Sequence, residues 1–224
     1  TVLAIATHRS FLQNRIMSTV YLSTAYFAPV SYYASFLRYD RIVIEQWCNY
    51  TKQTYRNRCH IAGANGLLAL SVPIVKPDTI KCPTKDIRIS DHGEWRHLHW
   101  NAIASAYGSS PFFEYYQDDI RPFFEKRYEF LLDFNEEIRR TVCNLIGIEP
   151  HIEYSSSYSE PAPGETDLRD AIHPKRRKAE TILPVQPKPY YQVFSEKYGF
   201  QPDLSIIDLL MNMGPESIFF GEYL

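Results

Sequence analysis

Residues 20–46, VYLSTAYFAPVSYYASFLRYDRIVIEQ, decide the fold. Residues 20–24 read as a first strand. Pro29 then opens a helical stretch that runs to Tyr39, placed where its missing N–H costs nothing. Residues 41–46, RIVIEQ, alternate apolar and polar side chains and read as a second strand. Strand, short helix and strand together make a β–α–β opening. That opening predicts an α/β or α+β fold, a mixed β-sheet with flanking helices in a single domain.

Outward from this stretch, residues 58–62 and 67–75 read as two strands around Asn65–Gly66, a strong hairpin signal. Residues 86–90, DIRIS, suggest another short strand. From Glu94 the pattern turns helical: Trp95, His99, Ile103 and Tyr107 recur every fourth residue, and Gly108 with Pro111 ends the run. Further helices are expected over 112–116 and 119–146, the second broken at Pro122, with Gly147 as a C-cap. Between 154 and 189 the composition changes to serines and prolines, with Lys175, Arg176, Arg177 and Lys178 in a row. This reads as a long, partly ordered connection. The expected organisation is an N-terminal extension (1–19), an α/β core (20–153), the connection (154–189) and a segment (190–224) that completes the same domain. His8, Arg9 and Arg15 follow an apolar start, the reverse of a secretory signal, and Met17 is a candidate translation start.

A chain of 224 residues suits one generous domain, and 45% hydrophobic residues suffice for a sizeable core. Tyrosine is frequent, at 17 residues, and its apolar ring with a polar tip suits stacking pockets as well as half-buried surfaces. The formal charge of −2 gives no global attraction to nucleic acid or to an anionic membrane. No run is apolar over a membrane-spanning length. Cys48, Cys59, Cys82 and Cys143 form no CxxC pair and have no zinc-ligand spacing, so free thiols in a reducing, cytoplasmic compartment are expected, with no metal and no cofactor. Glycine-rich phosphate loops, HExxH, GxSxG and DxD are all absent from the sequence.

Three constellations could carry chemistry. In TYRNRCHI, residues 54–61, strand alternation would send Arg56 and Arg58 to one side and Asn57 to the other. Two guanidinium forks side by side would hold a carboxylate or a phosphate. The plainer alternative is an exposed edge strand kept soluble by charge. His99, within its aromatic stripe, has the ordinary pKa of a general base but is equally a hydrogen-bonded residue at the core margin. In LSIIDLLMNMG, residues 204–214, Ser205 and Asp208 match a capping box, with Asp203 as an alternative cap. If another residue caps this helix, Asp208 is free for a site.

These segments, in this order, resemble the WbqC-like family of bacterial proteins. The matching stretches are STAYFAPVSYY (23–33), RIVIEQ, YRNRCHI (55–61), LSVPI (70–74), the W-x3-H-x7-Y spacing of Trp95, His99 and Tyr107, YYQVF (190–194) and LSIIDLLMNMG. The form with STAYFAPVSYY and the NRC variant is similar to the branch common in Bacteroidetes. Many relatives carry a His-Gln pair before the Pro/Tyr turn, where this chain has Leu22, Ser23 and Thr24. The resemblance implies a role in O-antigen-like surface-polysaccharide assembly, as an acyl or aminoacyl (glycine) transferase acting on a sugar precursor. The alternative is a non-catalytic protein that binds a carbohydrate or a partner in the same pathway. Under the transferase expectation His99 is the base and Asp208 orients it or holds a sugar hydroxyl. Asn57 and Arg58 bind the acyl donor or an anionic group. Tyr26, Tyr107 and Tyr190 line an acceptor platform, with Trp95, Gln192 and Ser205 beside them. The expected partners are the small-molecule sugar precursor and its acyl donor.

Overall fold

The computed structural model describes residues 16–176 and 188–221, so residues 1–15 of the expected extension lie outside it. β1 (Ile16–Ser23) and β2 (Tyr39–Glu45) run parallel, in register from Val20↔Ile42 to Ser23↔Glu45. α1 (Val30–Arg38) is the crossover between them. Pro29 sits one position earlier than expected, as the N-cap rather than the first helical residue. In β2 the side chains of Ile42, Val43 and Ile44 are all buried. Both faces of the strand are therefore covered, as a parallel sheet requires, although RIVIEQ alternates on paper.

The hairpin forms as β3 (Arg58–Gly63) and β4 (Gly66–Ser71), antiparallel and closed by the pair Gly63↔Gly66. Gly66 has φ +100°, open to glycine at no steric cost. The expected strand at 86–90 does not form. A 3-10 turn (Thr84–Asp86) is followed by two isolated bridges, Ile74↔Ile89 and Arg88↔Phe130. The backbone there divides its bonds between two neighbours: Ser90 N–H reaches Pro73 O, while Ile89 N–H reaches Glu129 O. Neither side accumulates a ladder.

α2 (Trp95–Tyr107), α3 (Phe113–Ile120), α4 (Pro122–Glu125) and α5 (Leu131–Ile146) follow. Pro122 starts the short α4, and the break extends to Phe130. On α5, Leu131, Phe134, Ile138, Val142 and Ile146 point inward at helical spacing, and Gly147 (φ +73°) ends it in the left-handed region. β5 (Ile152–Tyr154) then adds parallel to β2, and β6 (Thr166–Asp167) parallel to the far side of β1. β6 lies inside the segment expected to be a connection. Two ladder pairs are enough to place it, Val20↔Thr166 and Tyr21↔Asp167.

The four-stranded sheet thus has the order β5-β2-β1-β6. Counted along the chain this is third, second, first, fourth. All four strands end at one edge, and the direction of winding reverses between β1 and β6.

After α6 (Ser195–Tyr198), α7 (Ile206–Met213) is enclosed from Ile206 through Asn212. It is laced to the first crossover by Val30 N–H to Leu204 O (3.0 Å) and Ile206 N–H to Ala28 O (2.9 Å). Asp203 caps α1 rather than its own helix, accepting from Ser31 N at 2.9 Å and from Ser31 Oγ at 3.0 Å. Among the described residues no helix is long and apolar enough to cross a membrane.

Candidate functional site

Asp208 stands in the first turn of α7 with its side chain wholly enclosed. Ser205 is the N-cap: its Oγ accepts from Ile207 N at 3.3 Å and donates to Phe27 O at 2.8 Å. The Asp208 carboxylate does not reach back to complete a capping box. It accepts instead from Tyr107 Oη (2.9 Å), Tyr190 Oη (2.7 Å) and Gln192 Nε2 (2.9 Å). Burial raises its pKa to about 6, and the three donors lessen that rise. Asn212, one turn on, donates to the Asp208 carbonyl.

His99 projects from α2 into a box made by Tyr26, Trp95 and Phe124, with the Trp95 ring edge-on at 5.2 Å. Its Nδ1 lies 2.9 Å from Tyr26 Oη. The Ser71 backbone acts to favour the protonated ring. Burial lowers the pKa to about 4, so the ring is neutral at pH 7. Arg58 joins this network from the hairpin, its Nε donating to Ser71 Oγ at 2.8 Å. Asn57 is spent on the backbone, Nδ2 to Val72 O at 2.8 Å.

The structure therefore sorts the ten expected residues into two networks and two backbone anchors. Asp208, Tyr107, Tyr190 and Gln192 form one network; His99, Tyr26, Trp95 and Arg58 form the other. Ser205 and Asn57 tie down the chain. His99 and Tyr107 are eight residues apart on α2, about 12 Å along its axis, and no hydrogen bond joins the networks among the described residues. The expected side-by-side pair of forks also dissolves. Arg56 lies in the turn before β3, so strand alternation does not govern it, and it faces Ser23 while Arg58 faces Ser71.

A different group of polar residues gathers where β1, β2, β5 and β6 end. A narrow crevice of about 10 Å³, room for about one water, opens there between the end of β1 and the chain after β6. Ser23 and Thr24 floor it, Thr54 and Arg56 form one side, and Leu168 and Arg169 the other. Arg56 is 4% exposed. Its Nη2 donates to Ser23 Oγ (2.7 Å) and Cys48 Sγ (3.5 Å), and its carbonyl is held by Asn135 Nδ2 of α5 (2.8 Å). Its Nε is enclosed and donates to nothing among the described residues. Arg169 is satisfied, paired with Asp167 (2.6 Å) and Glu160 (3.1 Å). Behind Thr24, Glu136 accepts from Arg139 Nε (2.7 Å), Tyr154 Oη (2.8 Å) and Thr24 Oγ1 (3.4 Å).

A sequence model of the WbqC-like protein family matches residues 24–192, three quarters of the chain. The chain belongs to that family. This WbqC-like chain is also 25% identical over 220 residues to the uncharacterised protein Rv1507c of Mycobacterium tuberculosis, covering 88% of this chain and 92% of that protein. No solved structure matches. The matched range takes in Thr24, Arg56, His99, Tyr107, Arg169, Tyr190 and Gln192, and stops before Asp208.

Among the described residues of this WbqC-like chain, no group of three or more His, Cys, Asp and Glu side chains could hold a metal ion. Its four cysteines are free thiols. Chemically, the two buried networks can hold neutral or singly charged groups in fixed orientation, and their acceptors are already occupied. The crevice instead is lined by the hydroxyls of Ser23, Thr24 and Thr54 and by two arginines. Sequence reasoning missed Ser23, Thr24, Arg169 and Glu136. The available signal was Ser23–Thr24 at the end of the first strand, since ligands of open parallel sheets bind outside the carboxyl ends.

Proposed function

We propose that this protein binds a sugar precursor of surface-polysaccharide assembly at the carboxyl edge of its parallel sheet and transfers an acyl or aminoacyl group to it in the cytoplasm. One observation supports the location: the strand order β5-β2-β1-β6 reverses beside β1, and a polar crevice with a buried arginine opens at that point. Open parallel sheets place ligands at such a reversal, because the loops on either side diverge and leave a gap. The transfer chemistry and the pathway rest on the family resemblance. In this reading Glu136, which accepts from Thr24 and is paired with Arg139, fixes the Thr24 hydroxyl from behind. His99 and Asp208 act as positioning residues that fix the hairpin and α7 against the crossover.

A second reading, recognition without catalysis, is favoured by the enclosure of His99 and by the three donors that occupy the Asp208 oxygens. Mass spectrometry of the surface polysaccharide from cells with and without the gene distinguishes the two readings. Transfer predicts an amino-acid or acyl substituent that disappears with the gene. An unchanged set of substituents contradicts it.

A further inference from the structure

A second hollow, of about 320 Å³, lies between the start of α2 and the α4 turn and shares no lining residue with the carboxyl-edge crevice. Trp100 and Phe124 give it an apolar wall, and Arg96, Arg121 and Arg127 face it together with Glu94 and Glu125. Its size is at the low end of small-ligand pockets, roughly 300–1,000 Å³. Such pockets are mostly apolar, whereas here charged side chains outnumber the aromatics. These charges balance one another. Asp91 pairs with Arg96 Nη2 at 2.7 Å and with Arg127 Nη1 at 3.1 Å, and Glu125 pairs with Arg121 Nε at 2.7 Å. Three guanidiniums thus stand against the three carboxylates of Asp91, Glu94 and Glu125, which leaves no net charge for an ion to neutralise. The pairs also fix the planar groups in place, and the Arg96 guanidinium is held further by the Trp95 ring, whose centre is 4.6 Å away. A guanidinium has more N–H donors, and a carboxylate more lone pairs, than one ion pair uses. Trp100 is partly exposed and is backed by the rings of Phe113 at 6.1 Å and Phe124 at 6.0 Å.

We propose that this hollow is a binding site for a short, uncharged saccharide. Each sugar hydroxyl donates and accepts hydrogen bonds, so it suits a lining where fixed guanidinium donors and carboxylate acceptors stand side by side. The C–H groups of a sugar ring are apolar and suit the wall made by Trp100 and Phe124. An anion or a cation, by contrast, would have to compete with an ion pair already formed. A neutral ligand takes up the spare donors and lone pairs and leaves the pairs intact. The lining alone carries this, whatever the carboxyl edge binds.

The fluorescently labelled full chain is applied to a printed array of neutral, sulfated and uronic-acid oligosaccharides, and the best-bound neutral glycan is then titrated into the isotope-labelled chain. The proposal predicts that neutral glycans bind, with an affinity that salt leaves unchanged, since no net charge is involved. The indole N–H signal of Trp100 should move during the titration while that of Trp47 stays, a readout that needs no variant. Arg121→Gln and Glu125→Gln, whose side chains are 56% and 59% exposed, should melt as wild type does. Each should bind the glycan about tenfold more weakly, because each removes a charged hydrogen-bonding group from the lining. Glu149→Gln, outside the hollow, should bind as wild type does. The proposal fails if no neutral glycan binds or if the Trp100 signal is silent. It fails equally if only the sulfated or uronic-acid glycans bind and salt abolishes that binding, which would make the hollow an anion site. Binding by Arg121→Gln and Glu125→Gln at wild-type strength also overturns it. Absence of glycan binding here leaves the transfer reading standing, whereas glycan binding with an unaltered surface polysaccharide sinks only the transfer reading.

Discussion

At the scale of single residues, two buried titratable groups work in opposite directions. Asp208 titrates near pH 6 in the folded chain, above its ordinary 3.8. Between those values the folded chain holds a proton that the unfolded chain has released. Its contribution is therefore fully present below pH 4 and is lost as pH rises through 6, by about 3 kcal/mol at most. His99 titrates near pH 4, below its ordinary 6.5. Here the unfolded chain holds the extra proton, so this contribution is present above pH 6.5 and is lost as pH falls toward 4, again by about 3 kcal/mol at most. In wild type the two slopes offset each other between pH 4 and 6. Urea unfolding of His99→Gln should show stability falling as pH rises through that window, and Asp208→Asn should show it rising. Equal, flat profiles in both variants would contradict the assignment.

A His99 that served only as an accessible catalytic base could be replaced by Ala with little loss of stability. Its enclosure by Tyr26, Trp95 and Phe124 predicts otherwise. Truncation leaves a cavity and an unpartnered tyrosine hydroxyl, and chemical denaturation should register a loss of about 3 kcal/mol. A loss below 1 kcal/mol would return the histidine to the list of candidate bases.

At the scale of elements, the C-terminal segment acts as a clamp on the first crossover. Asp203 supplies the α1 cap from 172 residues downstream, and it does so with φ +54°, an uncommon value for a residue with a Cβ. Asp203→Ala should cost about 1–2 kcal/mol by loss of the cap while keeping the backbone strain. Asp203→Asn, which tolerates the left-handed region and retains one acceptor, should recover much of that loss. Thermal melts of the pair measure it; equal melting temperatures for Ala and wild type would show that the cap contributes nothing. Gly214 ends α7 at φ +55°, and a Cβ there would stand 2.5 Å from the Phe112 ring. Gly214→Ala should therefore lower the melting temperature more than Gly147→Ala, whose Cβ would meet nothing within 4 Å although its φ of +73° is just as unusual.

What could be read in advance follows from the length of each element. β1, α1 and β2 announce themselves through Pro29 and a run of β-branched residues, the hairpin through Asn65–Gly66, and α2 through a four-residue stripe. β5 and β6 have three and two residues, too short to carry any period, and β6 lies among serines and prolines that argue for loop. DIRIS has the right alternation and still forms no strand, because its backbone is shared between two neighbours. Among site residues, the meeting of Tyr107, Tyr190, Gln192 and Asp208 follows from motifs that return in order along the chain. That Arg56 turns away from Arg58 and toward Ser23 does not. It depends on a turn held by Asn135 from α5, a contact across 79 residues that no local pattern encodes.

At the scale of the whole molecule, the sheet order turns four strand ends into one polar edge, and the edge gathers buried charge from β2, α5 and the chain after β6. The buried networks of His99 and Asp208 hold the hairpin and α7 in place behind it. The most direct measurement of this division of labour is a map of backbone amide shifts in the isotope-labelled chain during titration with a nucleotide-linked sugar. The account predicts shifts centred on Ser23, Thr24, Arg56, Leu168 and Arg169, with residues 99, 107 and 208 nearly unmoved. Shifts centred on His99 and Asp208, with the strand ends silent, would contradict it.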